Sequence, residues 1–336
     1  MNILITSVGR RSYMVNFFKK ALNGKGLVHV SNSSDITPAF KMADRSVVTP
    51  LIYDDNYIPF LLKYCKKNQI DILISLFDID LYVLASHKEE FSKIGTKVIV
   101  SAPSFIKICN DKWLTYHYLK ENNFHVPATY LELKDAVQDI HSGVIHYPVI
   151  VKPRWGMGSL SIYTANNEEE LKIFYKKIKN EIQNSYICYE SQSDLEHSVM
   201  IQKFISGQEY GLDVINDLDG IYQNTIVRKK YAMRAGETDC AEIVEDKSLK
   251  ELGKRLGNIT GHIANLDVDV LYEGNRAFIL EMNARVGGGY PFSHIAGVDL
   301  PLAIVKWCHG EEVDKSILSA RENTLGHKDI AIMKLK

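Results

Sequence analysis

Ala277-Phe278-Ile279-Leu280-Glu281-Met282-Asn283-Ala284-Arg285 reads as a strand that begins in a core and ends at a polar site. Residues 278–280 are continuously apolar, and the two-residue period of a strand turns Glu281 and Asn283 to the same face. Just upstream, Ala264-Asn265-Leu266-Asp267-Val268 reads as a partner strand, joined through the turn Glu273-Gly274-Asn275. Asp267, Glu281 and Asn283 then offer hard oxygen donors from adjacent strands. Such a set suits Mg²⁺ held jointly with substrate phosphates, because magnesium keeps several waters and rarely takes an all-protein cage. A solvent-facing polar edge would contain the same residue types, but the apolar run before Glu281 favours a buried strand closing on a site.

Further toward the N-terminus, Val149-Ile150-Val151-Lys152-Pro153 ends a strand in a lysine, followed by Arg154-Trp155-Gly156-Met157-Gly158-Ser159 and a second strand at 160–164. A lysine beside glycine-loop amides suits a polyphosphate. Taken alone the loop fits a plain turn better, and it has neither Walker A nor dinucleotide G-x-G-x-x-G spacing. At the front of the chain, a short apolar strand at 3–7 runs through Gly9-Arg10-Arg11 into a helical pattern carrying Tyr13, Val15, Phe17, Phe18 and Leu22. Strands at 27–31, 72–76 and 97–100, with a helix at 57–68, continue a strand–helix alternation that predicts a parallel sheet with ligands beyond its carboxyl ends. The ligand-facing candidates there are Gly9, Arg10, Arg11, Asp35, Asp78 and Asp80. Asp111 to Asn122 predicts a helix, 167–182 a lysine-rich one, and 198–280 a run of strands.

Taken in order, Asp111-Lys112 opening a helix, Val151-Lys152 before a glycine loop, Ile201-Gln202-Lys203-Phe204-Ile205, Gly207-x-Glu209 and Glu281-Met282-Asn283-x-Arg285 resemble the ATP-grasp superfamily of ligases. The likeness is greatest to the branch of the carbamoyl-phosphate synthase large subunit and biotin carboxylase, and it covers nearly the whole chain. It implies an α/β chain with an N-terminal parallel-sheet, Rossmann-like pre-ATP-grasp domain at 1–105. A two-subdomain α+β ATP-grasp fold would follow, the small subdomain with the phosphate loop at 106–185 and the large one with the hinge and magnesium site at 186–336.

By the same resemblance, Lys112 and Lys152 hold the ATP phosphates with Gly156, Gly158 and Ser159. Gln202, Lys203, Phe204 and Ile205 form the hinge against adenine, Glu209 binds the ribose, and Asp267, Glu281 and Asn283 take Mg²⁺, with Mn²⁺ as an alternative metal. Two features depart from the pattern: Gln202 stands where many relatives carry a glutamate, and the loop is poor in glycine. A glutamine carbonyl still accepts from an adenine amino group.

Val227-Arg228-Lys229-Lys230-Tyr231-Ala232-Met233-Arg234 is the densest basic stretch. It reads either as a solvated face or as a strand turning Arg228, Lys230 and Arg234 into the cleft. On the second reading Arg234 and Arg285, with Lys152, neutralise a phosphoryl group in transfer. The implied reaction activates a small-molecule carboxylate as an acyl phosphate, which an amine captures to form an amide. The acceptor is expected near Arg10, Arg11, Asp80, Arg234 and Gly287-Gly288-Gly289. Rival readings are a kinase or carbamoyl-phosphate synthase-like enzyme stopping at a phosphorylated product, a non-catalytic nucleotide-binding protein, and half of a split synthase.

The composition sets the remaining bounds. The 336 residues are 46% hydrophobic and 24% charged, enough apolar material for a sizeable core. Forty basic and forty-one acidic side chains give a formal charge of -1, so no global field draws the chain to nucleic acid or to an anionic membrane. Cys65, Cys109, Cys188, Cys240 and Cys308 lie far apart and predict buried free thiols in a reducing compartment. The histidines form no zinc-like spacing. No leader or membrane-length apolar stretch is apparent, so a cytoplasmic protein is expected, with small-molecule partners only. The resemblance adds a homodimer.

Overall fold

A computed structural model describes residues 1–335. The first sheet is built from β1 (Ile3–Thr6), β2 (Val28–Asn32), β3 (Arg45–Val48), β4 (Ile72–Ser75) and β5 (Lys97–Ile99), in the order β3-β2-β1-β4-β5 with every pair parallel. β1 and β4 are buried along their full length, as expected of strands covered on both faces. The helix Ser12–Leu22 buries Met14, Val15, Phe18 and Leu22, and ends at Asn23 in the left-handed conformation, whose N–H reaches back to Lys19 and Lys20 carbonyls.

A second, four-stranded antiparallel sheet comprises β6 (Thr129–Tyr130), β7 (Val149–Pro153), β8 (Tyr163–Ala165) and β9 (Val199–Lys203), in the order β6-β9-β7-β8. The Lys152 loop is therefore the connection of a β7–β8 hairpin. The helix Glu168–Gln183 packs Leu171, Ile178 and Ile182 into the core of this layer. Because β9 pairs with β7 over its whole length, the small-subdomain sheet continues to Lys203, beyond the sequence-expected boundary at 185.

The third sheet is six-stranded and antiparallel. It contains β10 (Gln208–Asn216), β11 (Tyr222–Arg234), β12 (Glu237–Ile243), β13 (Asn265–Glu273), β14 (Arg276–Asn283) and β15 (Thr324–His327), in the order β14-β13-β10-β11-β12-β15. The expected unbroken run of strands from 198 is interrupted by the helix Lys247–Thr260, N-capped by Asp246, whose carboxylate accepts from the Leu249 N–H. After β14 the chain returns to the first sheet. The helix Leu300–Cys308 packs on Ser12–Leu22, so one hydrophobic cluster joins Ile3, Ile5 and Phe18 to Tyr290, Leu300 and Ile304. This shared core fixes the carboxyl ends of β1 and β4 against the end of β14.

Candidate active site

Asp111 shows how the local sequence builds the site. As N-cap of the helix Lys112–Glu121, its Oδ1 accepts from the N–H groups of Trp113 and Leu114. Both carboxylate oxygens also bind Arg154 just beyond β7, from Nε and Nη2 at 2.8 Å each. This bidentate pair ties the start of the helix to the end of the strand. Lys112 and Lys152 are thereby brought to the same cavity, of about 320 Å³, with Gly156, Gly158, Ser159, Glu209, Asp269 and Glu281 also in its lining.

The Lys112 ammonium donates to the Gly156 carbonyl and lies 3.9 Å from Glu281 Oε2. Lys152 Nζ donates to Gln202 Oε1 at 2.9 Å, and the Gln202 amide donates to Thr129 Oγ1 at 2.9 Å. The Gln202 carbonyl thus holds Lys152 in the structure and keeps a second lone pair. Lys203, exposed Phe204 and buried Ile205 follow at the end of β9, outside the lining of this cavity. Burial, then the neighbouring Lys112 charge, push the Lys152 ammonium down to about 8, against Glu281 and Asp269.

A polyphosphate needs the charged form of Lys152. The affinity for MgADP is therefore expected to fall by up to about tenfold per pH unit above pH 8, and in Lys152→Met to be weaker and flat over that range. Calorimetric titrations between pH 7 and 9.5 check this; a flat wild-type profile refutes it.

The β13–β14 hairpin carries the acidic residues. Its register pairs Asp267 with Asn283 and Asp269 with Glu281. Glu281 and Asn283 do share a face, with Asn283 Nδ2 3.4 Å from Glu281 Oε1. Asp267, however, is committed to two guanidinium groups: Oδ1 accepts from Arg228 at 2.9 Å and Oδ2 from Arg285 at 2.8 Å. Burial opposes its charge, but Arg285 and Arg228 override that and hold the carboxyl below its ordinary value. Asp269, which sequence reasoning passed over, stands opposite Glu281, and Oδ1 accepts from Lys230 at 2.6 Å. Burial, with Asp267, Glu281 and Glu209 close by, pushes the Asp269 carboxyl up to about 6 despite Lys230. The turn at Gly274 sets the register only as far as Val270–Ile279; an irregularity between Asp269 and Val270 shifts it by one residue and brings Asp269 opposite Glu281, which no local sequence signal announces.

Among the described residues no three His, Cys, Asp or Glu side chains form a ready-made metal cluster. The cleft carboxylates lean instead on Lys112, Lys230, Arg228 and Arg285. Of these carboxylates Asp269 and Glu281, with Asn283, have the donor chemistry and free oxygens that a Mg²⁺ shared with phosphates requires.

A second cavity of about 270 Å³ adjoins the first through Met157, Gly158, Asp269 and Glu281, and is lined by Arg10, Arg11, Asp78, Arg285 and Gly288. Arg285 links the layers, because Nε and Nη2 donate to Asp78 Oδ2 at 3.2 Å. Arg11 donates to the Leu76 carbonyl at 2.6 Å and the Val286 carbonyl at 3.2 Å.

Two expectations fail here. Asp80 is fully buried and takes hydroxyl hydrogen bonds from Thr6, Ser7, Tyr57 and Ser75, so it supports the sheet end and does not reach a ligand. Two residues along the helix Asp78–Ser86 rotate a side chain by about 200°, which puts Asp78 in the cavity and Asp80 in the core. Arg234 donates to Asp239 Oδ2 at 2.6 Å, is half-exposed, and does not line the central cavity. The basic stretch is nonetheless no solvated face: Arg228 is wholly buried, and Lys230 bridges Glu209 and Asp269. The five cysteines are free, although only Cys65 and Cys109 are buried.

Two antiparallel sheets closing on lysines and carboxylates, beneath a parallel-sheet domain, define an ATP-grasp protein. Residues 109–289 match the ATP-grasp domain family and residues 3–99 the PylC-like, N-terminal domain family, so the chain belongs to the ATP-grasp family. The carbamoyl phosphate synthase large chain of Bifidobacterium animalis subsp. lactis is 22% identical over 307 residues, covering 88% of this chain and 26% of that one. The same enzyme of Clostridium acetobutylicum is 22% identical over 300 residues, covering 86% of this chain and 26% of its own length. This chain therefore spans about a quarter of the length of these curated relatives.

Among solved structures, biotin carboxylase from Campylobacter jejuni superimposes with a TM-score of 0.73 at 18% identity, over 95% of this chain and 73% of that one. The N5-carboxyaminoimidazole synthetase of Staphylococcus aureus, complexed with ADP, gives 0.69 at 16% identity, over 94% and 78% of the respective chains. At these identities the likeness is one of fold. Among the described residues no helix is long and apolar enough to cross a membrane.

Proposed function

We propose that this protein is an ATP- and Mg²⁺-dependent carboxylate–amine ligase that forms an amide through an acyl phosphate. The observation that carries the reading is the joining of two cavities, one lined by Lys112, Lys152 and the glycine loop, the other by Arg10, Arg11 and Arg285, at Asp269 and Glu281.

Lys112, Lys152 and the Gly156–Ser159 backbone bind the polyphosphate, with Glu209 at the sugar end. Asp269, Glu281 and Asn283 hold Mg²⁺, which supplies neutralisation of charge on the transferring phosphoryl group. Asp267 orients Arg285 and does not ligate the metal. Arg285, with Arg11, draws the substrate carboxylate to the phosphoryl end of the cleft and offsets the negative charge gathered there. The loop over β7–β8 excludes water from the acyl phosphate, so that an amine captures it. A cytoplasmic homodimer acting on small molecules, with Mn²⁺ able to replace Mg²⁺, completes the reading.

A second reading, an enzyme that stops at a phosphorylated product, is favoured by the carbamoyl phosphate synthase relatives. Incubation with ATP, Mg²⁺ and pooled carboxylates and amines, followed by mass spectrometry, separates them. A new amide formed in step with ADP supports the ligase; a stable phosphorylated product without amide selects the second reading. No substrate-stimulated ADP release overturns both.

A further inference from the structure

Beside the cavity that holds the charged residues lies a larger one. It has a volume of about 630 Å³ and opens at the carboxyl ends of β1, β2 and β4, meeting the central cavity at Ser7, Gly9 and Phe77. Its walls include Leu51, Tyr53, Phe77, Tyr186 and Tyr189, with Asn32, Ser33 and Thr49 among the polar ones, and its one charged lining residue is Asp54. The aromatic wall is built from two parts of the chain. Tyr53 stacks on Tyr189 with ring centroids 4.5 Å apart, and its hydroxyl donates to Glu190 Oε1 at 2.6 Å. Leu51, Tyr53, Tyr186 and Tyr189 are each at least 41% exposed, an apolar cluster that folding alone leaves uncovered.

No cation lines this cavity, in contrast with its neighbour, where Arg10, Arg11, Lys230 and Arg285 gather. The carboxylate to be activated belongs with those cations. Asp78 lines the central cavity and follows Phe77, which lines both cavities. Its Oδ2 is taken by Arg285, but its Oδ1 is buried without a hydrogen-bond partner. An orphaned buried carboxylate oxygen calls for an N–H or O–H donor.

We infer that the apolar cavity holds the body of the amine substrate, an amine bearing an aromatic or large apolar group, with its nitrogen directed past Phe77 into the central cavity that Asp78 lines. The proposal rests on the ligase reading for the identity of the second substrate, but its binding does not depend on turnover. Tyrosine faces favour an aryl body through stacking and tolerate a nearby ammonium. Asp54 at the wall and the lack of cations disfavour an anionic body.

The test is ligand-observed NMR titration of the full chain in the presence of MgADP, with phenethylamine, ethanolamine, 2-phenylethanol and phenylacetate as probes. Phenethylamine is expected to bind at least about tenfold more tightly than ethanolamine, the difference an apolar pocket of this kind supplies. It should also bind more tightly than 2-phenylethanol, which lacks the ammonium. Leu51→Arg places a long cation in the cavity from an exposed position and should abolish phenethylamine binding; an MgADP-induced thermal shift equal to that of the wild type shows the variant to be folded. Phenethylamine binding no tighter than ethanolamine, or undiminished in Leu51→Arg, overturns the proposal, as does Leu51→Arg-sensitive binding of phenylacetate. Leu51→Arg-sensitive phenethylamine binding, with no amide formed from the pooled carboxylates and amines in the presence of ATP and Mg²⁺, would refute the ligase reading and leave the pocket assignment standing.

Discussion

Glu281→Gln is expected to lower turnover on the order of 10²–10³-fold while leaving nucleotide binding largely intact, since a metal's charge stabilisation amounts to several kcal/mol. Glu281 stands opposite Asp269, its Oε1 is within reach of Asn283, and its Oε2 lies 3.9 Å from Lys112. The exchange keeps size and removes the charge on which a divalent cation depends, whereas Lys112 and Lys152 remain to hold phosphates. Asp269→Asn should act in the same way, and both variants should raise the Mg²⁺ concentration for half-maximal activity. Asp267→Asn should behave differently: turnover falls because Arg285 loses a partner, but the Mg²⁺ requirement stays put. Steady-state assays across a Mg²⁺ series separate these outcomes. A shift in Mg²⁺ requirement for Asp267→Asn, with none for Asp269→Asn, would return the ligand role to Asp267.

The hairpin, the shared face of Glu281 and Asn283, and the two lysines were legible because each rests on local period or a tight turn. The choice between Asp267 and Asp269 was not, because it depends on which carboxylate distant Arg228 and Lys230 reach from β11. Asp80 misled for a related reason: a carboxylate beyond β4 was expected to face ligand, yet the helix starting at Asp78 turns it into a nest of four hydroxyls.

The missed elements share a cause as well. β3 is a mostly exposed edge strand of sequence Arg-Ser-Val-Val, and β15 pairs with β12 across a long stretch of chain, so neither leaves an apolar period. The helix Lys247–Thr260 contains Gly253 and Gly257, which read as breaks but are buried where the helix packs on β10 and β11. The aromatic cavity had no sequence signature, because Leu51 and Tyr53 come from the segment after β3 and Tyr186 and Tyr189 from the short helix Ile187–Ser191 and its N-cap, which only the packed layers bring together.

Arg228→Ala is expected to cost about 3–5 kcal/mol of stability, because it strands a buried carboxylate that has few other partners. Arg228 is wholly buried in β11; Nη1 binds Asp213 and lies 3.3 Å from Ser293 Oγ, while Nη2 reaches Asp267. Burial raises the Asp213 carboxyl, and Arg228 is the main charge that opposes it. The surrounding backbone has been shaped to admit the pair. A Cβ on Gly289 would sit 2.8 Å from Arg228 Nε, and one on Gly287 would sit 2.2 Å from Asp267 Oδ2. Gly287 and Gly289 therefore admit this ion-pair chain, although all three glycines were expected near the substrate.

From Asp213 the charges alternate through Arg228, Asp267 and Arg285 to Asp78, reaching from the third sheet to the first. Such a chain stabilises less than its length suggests, since desolvation offsets most of the attraction, but it fixes the Arg285 guanidinium from both sides. Arg228→Met combined with Asp213→Leu removes both charges together and should recover most of the lost stability in urea denaturation. Turnover in the double variant should remain low, because Asp267 keeps only one of its two guanidinium partners. Recovery of stability and turnover together would mean that Arg228 and Asp213 do not position Arg285.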